Sequence, residues 1–505
     1  MISELEPSIQ ITKTHGHHQI EAKDSSSLSH LRLDDKLNKP EIHNTQESQQ
    51  ANTTKEILIF IVYFLNQLFA SFALGMFQGT IPLLLVKNGA ELADLGILTI
   101  SNYPFALKFL FGPFLDRYFS VRIGKRMSYI IPCLYIFSIF SMYCCWTVDK
   151  YMTNLNIKEL AFIGLLMVLN SAVLMISSDG YLVTMIHSNR RSYLSMLKQI
   201  AQLTGIFISY NVFIPLNSLD FSNKYLYSEP HTVPFATFRS FFLLTGICGL
   251  IYVFFVMFYV GKEPPVSKMF QSVAEILKIT KGFWTNNNLF KCLLFILIWK
   301  FGFAPLEIYF WPTCLKQGFS EVSYINIITM IYPYNVVIAI VGGHFAVQHK
   351  KNRFILFYLY LVVRWVSSFM QYWMLKTYTT EEDWQGAFWM IAIWQTLSMT
   401  HYAIFGIATE SLFAEACDSR IGSTYMTIFA SVFNFGEYFP RTIMYFTVNE
   451  NNWEIMTYVF WVYAVVFLFF ALPIAIKLSS TPIEQYHLEV VPDEQELLEK
   501  AERSG

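Results

Sequence analysis

Charged residues are scarce in this sequence. Asp, Glu, Lys and Arg together make up 14% of the 505 residues, whereas a soluble globular domain carries about 25%. With so little charge and 54% hydrophobic residues, the chain cannot cover its surface with polar groups, which excludes an ordinary soluble protein. The formal net charge is −1, so no excess of positive charge indicates a nucleic-acid partner.

Signatures of common enzymes are absent from the sequence. It contains no G-x-S-x-G, no H-E-x-x-H and no G-x-x-x-x-G-K-[ST], patterns that hold reactive or phosphate-binding groups at a fixed spacing. The stretch RIGKRMS, 122–128, has Gly-Lys but lacks the upstream glycine. We therefore predict that the protein is not an enzyme and uses no cofactor.

Cysteines are few, and none forms a C-x-x-C pair. Most of the seven lie inside apolar runs, where a cysteine behaves as a small core residue. The stretch HGHHQ, 15–19, lies in a polar tail, and we interpret it as solvated rather than as metal-binding. No metal site is predicted.

What the sequence does have is a series of long apolar runs. Each has at least the ~20 residues that a helix needs to cross the hydrocarbon core of a bilayer. The runs are continuous rather than alternating, which disfavours a β-barrel. The twelve runs cover residues 57–86, 92–115, 127–147, 159–186, 193–216, 237–260, 289–315, 322–347, 354–376, 386–413, 421–447 and 454–477.

The predicted fold class is an all-α polytopic membrane protein with twelve transmembrane helices in two six-helix halves. The polar composition of the first residues predicts a disordered tail. Lys and Arg gather in one set of loops, and the positive-inside rule places these loops and both termini in the cytosol. The predicted regions are a disordered cytosolic tail (1–55), an N-terminal half (56–260), a cytosolic connector (261–288), a C-terminal half (289–477) and an acidic cytosolic tail (478–505).

The loop between the second and third runs, GPFLDRYFSVRIGKR (112–126), resembles the major facilitator signature G-x-x-x-D-R-x-G-R-R with an insertion. GGHFAVQHKKNR (342–353) occupies the equivalent loop of the second half, as expected of a transporter built from repeats. The resemblance implies a major facilitator fold with a substrate site between the halves near mid-membrane. It also implies gating roles for Gly112, Asp116, Arg117 and Arg126.

Ionisable residues within membrane helices are costly and usually functional. Lys108, Lys198 and Lys300 each have no opposite charge three or four residues away on the same helix. Lysines in a low-dielectric cavity suit an anionic, phosphate-bearing substrate. The other ionisable residues in predicted spans are Asp179, Glu307, Arg364, His401, Glu410, Glu437 and Arg441, of which Glu437 and Arg441 are spaced to neutralise each other on one helix face.

Several stretches resemble the acetyl-coenzyme A transporter family of the endoplasmic reticulum membrane. The resemblance indicates a divergent, fungal-like member of that family. They are YPFALKFLFGPFLD (103–116), DGYLVTMI (179–186), LDFSNKYL (219–226), FGFAPLEIYF (301–310) and DSRIGSTYMTIFASVFN (418–434). The chain departs from the family at Met175, where an acidic residue is usual, and at Tyr181, where Trp is usual.

The resemblance implies alternating-access import of acetyl-coenzyme A from the cytosol into the secretory-pathway lumen. The substrate-binding residues that it implies are Lys108, Asp179, Lys198, Gln202, Lys300, Tyr425 and Asn434. Asp179 is either a proton-coupled group or a partner for one lysine. The partners expected are a small anionic substrate and the lipid bilayer, with a homodimer left open.

Two other functions fit the same residues. One is a major facilitator carrier for another organic anion or for a proton-coupled solute like those of muropeptide permeases. The other is a membrane scaffold or receptor that keeps the fold without transport.

Overall fold

The computed structural model describes residues 39–186, 193–259, 263, 278, 281–298, 301–348, 353–416 and 422–486. The chain divides into two compact units, residues 1–55 and 56–505. The described part of the first unit, residues 39–55, is helical. Most of the predicted N-terminal tail, most of the connector, most of the acidic tail and Lys300 lie outside the described residues.

The described residues form helices and no strands, as predicted for an all-α membrane protein. Ten helical segments among them are long and apolar enough to cross a membrane. Two further long helices, Phe388–Ala416 and Gly422–Thr447, coincide with the tenth and eleventh predicted runs. We number the segments in chain order as 1 (Glu56–Lys87), 2 (Leu92–Arg117), 3 (Met127–Thr153), 4 (Ile157–Met185), 5 (Met196–Asn217), 6 (Phe238–Phe258), 7 (Asn287–Lys316), 8 (Val322–Gly342), 9 (Phe354–Thr377), 10 (Phe388–Ala416), 11 (Gly422–Thr447) and 12 (Trp453–Ser480).

Several of these segments are interrupted rather than continuous α-helices. The α-helices run over Lys39–Gly75, Ile81–Lys87, Leu92–Thr99, Tyr103–Ala106, Lys108–Arg117, Met127–Thr153, Ile157–Met185, Tyr193–Phe207, Phe213–Asn217, Leu219–Tyr225, Phe238–Tyr259, Gly282–Thr285, Asn287–Ile298, Ala304–Lys316, Glu321–Gln348, Arg353–Thr377, Glu381–Gly386, Phe388–Ala416, Gly422–Thr447 and Trp453–Ser480. Shorter π-helices cover Met76–Thr80 and Ile208–Val212, and 3₁₀-helices cover Ile100–Asn102, Phe301–Phe303 and Ile483–Tyr486.

Segment 2 is broken just before Lys108. Pro104 lies at the start of the short helix Tyr103–Ala106, and a proline has no N–H to continue the preceding helical ladder. Leu107 then leaves the helical region, with φ −101° and ψ 14°. A new helix begins at Lys108, so the lysine lies at a helix start within the membrane-spanning segment.

The two π-helices contact each other. The hydroxyl of Thr80, at the end of the first, donates to the carbonyl of Ser209 in the second at 2.6 Å. A π-turn widens the helix and leaves carbonyls without an α-helical partner. The side chain of Thr80 therefore links the two π-helices by a buried hydrogen bond.

The buried apolar residues form separate cores in the two halves of the second unit. We call residues 56–259 the N-terminal half and residues 281–486 the C-terminal half. One cluster draws on the N-terminal half and adds Tyr438. Two others draw on the C-terminal half, and one of these adds Ile214. Large apolar side chains also point outward, such as Phe258 at 75% and Phe469 at 76% exposure, as expected where a helix faces lipid.

Segments 1 and 5 approach closely at Gly205. A Cβ added there would lie 2.5 Å from the Leu68 carbonyl oxygen and 2.9 Å from the Ser71 Cβ. Small residues allow membrane helices to pack at such short range.

We expect Gly205→Ala to destabilise the protein by about 1–3 kcal/mol, because backbone must move to admit the methyl group. Gly386→Ala is the matched control, since a Cβ at Gly386 meets nothing within 4 Å. Melting of the detergent-purified variants, followed by size-exclusion chromatography, measures the difference. Equal melting temperatures for the two variants would contradict the close approach at Gly205.

Candidate functional site

A cavity of about 160 Å³ lies between the two halves, and we call it the lysine chamber. Segments 1, 2 and 5 supply its N-terminal wall, and segments 10 and 11 supply the other. Four residues predicted from the sequence line it together: Lys108, Lys198, Gln202 and Asn434. The structure therefore brings residues from both halves, up to 326 positions apart, to one cavity.

Lys108 lies in the lysine chamber between an aromatic ring and a thioether. Its Nζ is 3.9 Å from the centroid of the Phe105 ring and 3.8 Å from Sδ of Met175. The ring face attracts the ammonium group, whereas the thioether is only a weak acceptor. The family resemblance leads us to expect a carboxylate at position 175. Because this chain has Met175 there, that position brings no negative charge to Lys108.

Lys198 is paired with Asp179. The distance from Nζ to Oδ2 is 3.2 Å, and the other carboxylate oxygen accepts from the Tyr63 hydroxyl at 2.8 Å and the Gln67 amide at 2.9 Å. Charge-assisted hydrogen bonds of this kind hold a carboxylate firmly. Of the two roles expected for Asp179, the geometry matches the partner of a lysine.

Gln202 and Asn434 complete the polar lining of the lysine chamber. The amide of Gln202 donates to Sδ of Met175 at 3.7 Å. Asn434, on segment 11, donates to the carbonyl of Phe105 on segment 2 at 3.1 Å. The helix breaks at Leu107, two residues after this carbonyl, so the carbonyl can accept from another segment. Asn434 therefore joins the two halves beside Lys108.

Tyr425 does not line the lysine chamber. It is fully buried in the C-terminal half, where its hydroxyl donates to the carbonyl of Tyr486 at 2.8 Å. Its ring packs against Phe283 and Phe429. The structure thus separates Tyr425 from the other predicted binding residues.

At the end of segment 2, Asp116 holds the halves together. Its carboxylate pairs with Lys125 at 3.1 Å and with Arg126 at 2.8 Å. The second oxygen accepts from the backbone N–H of Thr424 at 3.1 Å and from its hydroxyl at 2.8 Å. Thr424 lies in the first turn of segment 11, where the helix macrodipole also favours a negative charge.

The loop after segment 2 is fixed by Glu263. This carboxylate accepts from the backbone N–H of Arg126 at 2.7 Å. Gly124 has φ +113°, and a Cβ there would lie 2.5 Å from Glu263 Oε2, so glycine is required. Burial raises the pKa of Glu263, although the Arg126 N–H and guanidinium oppose the rise. Burial also lowers the pKa of Lys125, and Asp116 opposes that change.

The remaining predicted gating residues flank Asp116. Gly112 is buried in segment 2. The guanidinium of Arg117 lies 5.5 Å from the ring centroid of Tyr118. Of the predicted gating set, Asp116 and Arg126 are therefore the pair that the structure joins to each other.

Segments 2 and 11 form a hydrogen-bonded seam beyond Asp116. The N–H of Phe109 donates to Oγ of Ser431 at 2.8 Å, one turn from the Asn434 contact. Gln78 of segment 1 donates to the Tyr438 hydroxyl at 2.9 Å. Sequence reasoning missed Gln78 and Tyr438, and the one signal for Gln78 was an amide in an otherwise apolar run.

A second cavity of about 360 Å³ adjoins the lysine chamber, and we call it the larger chamber. Glu307 and Arg441 line it. Glu307 pairs with Arg364 at 3.0 Å, and Arg441 lies 3.7 Å from Glu307 and 3.6 Å from Glu437. The Glu437–Arg441 pair was expected from the four-residue spacing. The Glu307–Arg364 pair was not, because 57 residues separate its partners.

Known proteins are similar to this chain in sequence. Residues 56–288 match the family model described as Acetyl-coenzyme A transporter 1. An uncharacterized protein of Schizosaccharomyces pombe is 22% identical over 396 residues, 78% of this chain and 74% of that protein. An uncharacterized membrane protein of Saccharomyces cerevisiae is 23% identical over 462 residues, 74% of this chain and 81% of that protein.

Two solved structures share the fold. The human organic anion transporter MFSD10 (TETRAN) superposes with a TM-score of 0.54 at 13% identity, over 83% of this chain and 98% of that one. The major facilitator proton:xylose symporter XylE superposes with a TM-score of 0.58 at 13% identity, over 86% of this chain and 99% of that one. The predicted major facilitator fold is confirmed, and the predicted resemblance to the acetyl-coenzyme A transporter family is confirmed over residues 56–288.

We expect Asp116→Asn to loosen the contact between segments 2 and 11, because the neutral amide loses both ion pairs and much of its attraction to the helix start. Spin labels at Val121 and Gln348, in a cysteine-free background, report the distance between the loops of the two halves. The variant should populate a longer distance than the parent. An unchanged distance distribution would contradict the role of Asp116 as a latch.

Proposed function

We propose that this membrane transporter, which has the major facilitator fold and matches the acetyl-coenzyme A transporter family model over residues 56–288, moves acetyl-coenzyme A from the cytosol into the endoplasmic reticulum lumen. The observation that carries the proposal is the lysine chamber. It lies between the halves, where alternating access requires a substrate site, and two amines reach it.

The charge of the lysine chamber favours an anion. Lys108 and Lys198 supply two positive charges and Asp179 supplies one negative charge, which leaves one net positive charge among these three described groups. Lysine binds phosphate as a point charge, and the low dielectric of a closed cavity strengthens that attraction. The phosphates of a coenzyme A thioester are the part of the substrate that these amines would hold.

Asp179 keeps Lys198 oriented toward the chamber. The Tyr63 and Gln67 hydrogen bonds fix the carboxylate on one side, and Lys198 lies on the other. A substrate phosphate would compete with Asp179 for this amine, so binding would weaken the ion pair. Met175 adds no competing negative charge beside Lys108, in keeping with an anionic cargo.

The Asp116 contacts supply the step that alternating access needs. Asp116 links segment 2 to segment 11 at the cytosolic side of the lysine chamber, in the orientation given by the positive-inside rule. Opening toward the cytosol requires the Thr424 bonds to break. Lys125 and Arg126 remain on the N-terminal half with Asp116, so its charge stays matched while the halves separate.

Lys108→Met and Lys198→Met should each raise the KM for acetyl-coenzyme A uptake about tenfold or more, because a hydrogen bond to a charged group contributes about 1.5–3 kcal/mol. Uptake of labelled acetyl-coenzyme A into proteoliposomes is the measurement. Lys158→Met, at an exposed position in the first turn of segment 4, is the matched control. Lys300→Met extends the series to Lys300, whose role in substrate binding remains a prediction from the sequence.

Lys198→Met leaves Asp179 without its cation, so loss of uptake could reflect misfolding. The double variant Lys198→Met/Asp179→Asn removes both charges and should recover folded protein without recovering tight substrate binding. Normal uptake by both single lysine variants would show that the site is wrong. A folded parent that takes up no acetyl-coenzyme A would show that the substrate is wrong.

A panel of other organic anions, each measured with and without a pH gradient, tests the alternative carriers. Because Asp179 is held in an ion pair, we expect acetyl-coenzyme A uptake to be unchanged by the gradient. Strong acceleration by an inward proton gradient would favour a proton-coupled solute instead.

A further inference from the structure

Two buried side-chain amides in the larger chamber have unmet hydrogen-bonding capacity. Nδ2 of Asn211 and Oδ1 of Asn335 have no hydrogen-bond partner in the part of the chain that the structure describes. Both residues are only 8% exposed. Buried polar atoms are nearly always paired in folded proteins, so an unpaired donor and an unpaired acceptor in one cavity point to a ligand.

The two asparagines reach the larger chamber from opposite halves. Asn211 lies on segment 5, in the π-helix Ile208–Val212, and Asn335 lies on segment 8. Single π-turns inside α-helices occur frequently at functional sites. The Asn211 donor matches the carbonyl oxygen of an amide group, and the Asn335 acceptor matches an amide N–H.

Contacts between segments 5 and 8 hold these asparagines in place. The rings of Phe207 and Tyr332 stack with centroids 3.8 Å apart, and the Tyr332 hydroxyl donates to Thr204 at 2.9 Å. The hydroxyls of Tyr210 and Tyr324 also contact each other. The two asparagines are therefore set in a packed wall rather than in a loop.

The larger chamber has a different charge from the lysine chamber. Among the described residues its ionic groups are Glu307 and Arg441, which belong to a set with Arg364 and Glu437, and these four described charges sum to zero. Balanced described charges, polar amides and apolar walls suit an uncharged polar group better than a polyanion.

The two chambers adjoin. Leu74, Gln78, Leu203 and Ile206 line both of them. Gln78 donates to Tyr438, which lines the lysine chamber. An elongated solute could therefore place one end in each chamber, passing the Gln78–Tyr438 contact.

We propose that the larger chamber binds an uncharged, amide-containing arm of the transported solute. Asn211 donates to a carbonyl oxygen of the arm, and Asn335 accepts from an amide N–H. The proposal rests on the proposed function in assigning the phosphates of the same solute to the lysine chamber. The pantetheine arm of acetyl-coenzyme A has the required amide chemistry.

Equilibrium binding of three probes to the full-length purified protein tests this assignment. The probes are acetyl-coenzyme A, its phosphate-bearing fragment 3′,5′-ADP, and pantetheine. Asn211→Leu and Asn335→Leu should each weaken acetyl-coenzyme A and pantetheine about three- to tenfold, the effect of one hydrogen bond. Both variants should leave 3′,5′-ADP unchanged. Asn451→Leu, at an exposed position outside both chambers, is the matched control.

Lys198→Met provides the reciprocal measurement, because it should weaken acetyl-coenzyme A and 3′,5′-ADP but not pantetheine. The amide assignment is overturned if the asparagine variants bind all three probes like the parent. It is equally overturned if they weaken all three alike, since that pattern indicates a structural role.

The proposed function and the amide assignment fail in different ways. If the parent binds neither acetyl-coenzyme A nor 3′,5′-ADP, the proposed function is wrong. Pantetheine and N-acetylated dipeptide amides then test the larger chamber alone. Binding that is lost in Asn335→Leu supports the amide assignment, and absence of binding by every amide probe overturns it.

Discussion

A charged side chain inside a membrane protein is stable only where protein or water matches its charge, because hydrocarbon offers neither. Three carboxylates show how this chain meets that constraint. Asp116 has Lys125, Arg126 and a helix start; Asp179 has Lys198; Glu307 has Arg364. The positions of these groups determine where segments meet and where cavities carry charge.

The three charge sets differ in whether they connect the two halves or lie within one of them. The Asp116 set joins the halves through Thr424, and in the proposed mechanism these Thr424 bonds break when the protein opens. The Asp179 and Glu307 sets each lie within one half, so they can travel intact as that half moves. In the proposed alternating access, movement of the two halves around the site would break few buried ion pairs, so its energetic cost would be low.

Much of the architecture could be predicted from the sequence, because hydrophobic length alone determines which segments can cross a bilayer. The run at 127–147 became Met127–Thr153, and the run at 454–477 became Trp453–Ser480. The helices extend past the apolar runs because polar residues at a membrane surface can continue a helix in water. The break before Lys108 has a sequence signal in Pro104, whereas neither π-helix contains a proline that would mark it.

The candidate site was predicted in part. Lys108, Lys198, Gln202 and Asn434 line one cavity; charge within apolar helices indicated the two lysines, and the family resemblance implied Gln202 and Asn434. Asn211 and Asn335 were missed, since each is a single uncharged residue. A signal was present nonetheless: both lie in the tripeptide Tyr-Asn-Val, at 210–212 and 334–336, on the paired segments 5 and 8. Tyr425 was grouped with the site by resemblance, but its ring completes the C-terminal core instead.

The π-helix at Met76–Thr80 has a consequence for how sequences of this kind are aligned. A π-turn accommodates one extra residue, and each residue turns an α-helix by about 100°. Deleting one residue there would rotate Pro82, Leu83 and Val86, which line the larger chamber, away from it. A homologue that keeps the same chamber wall with a regular helix should therefore show a one-residue gap at this point, and an alignment forced through without it would compare residues on different faces of segment 1.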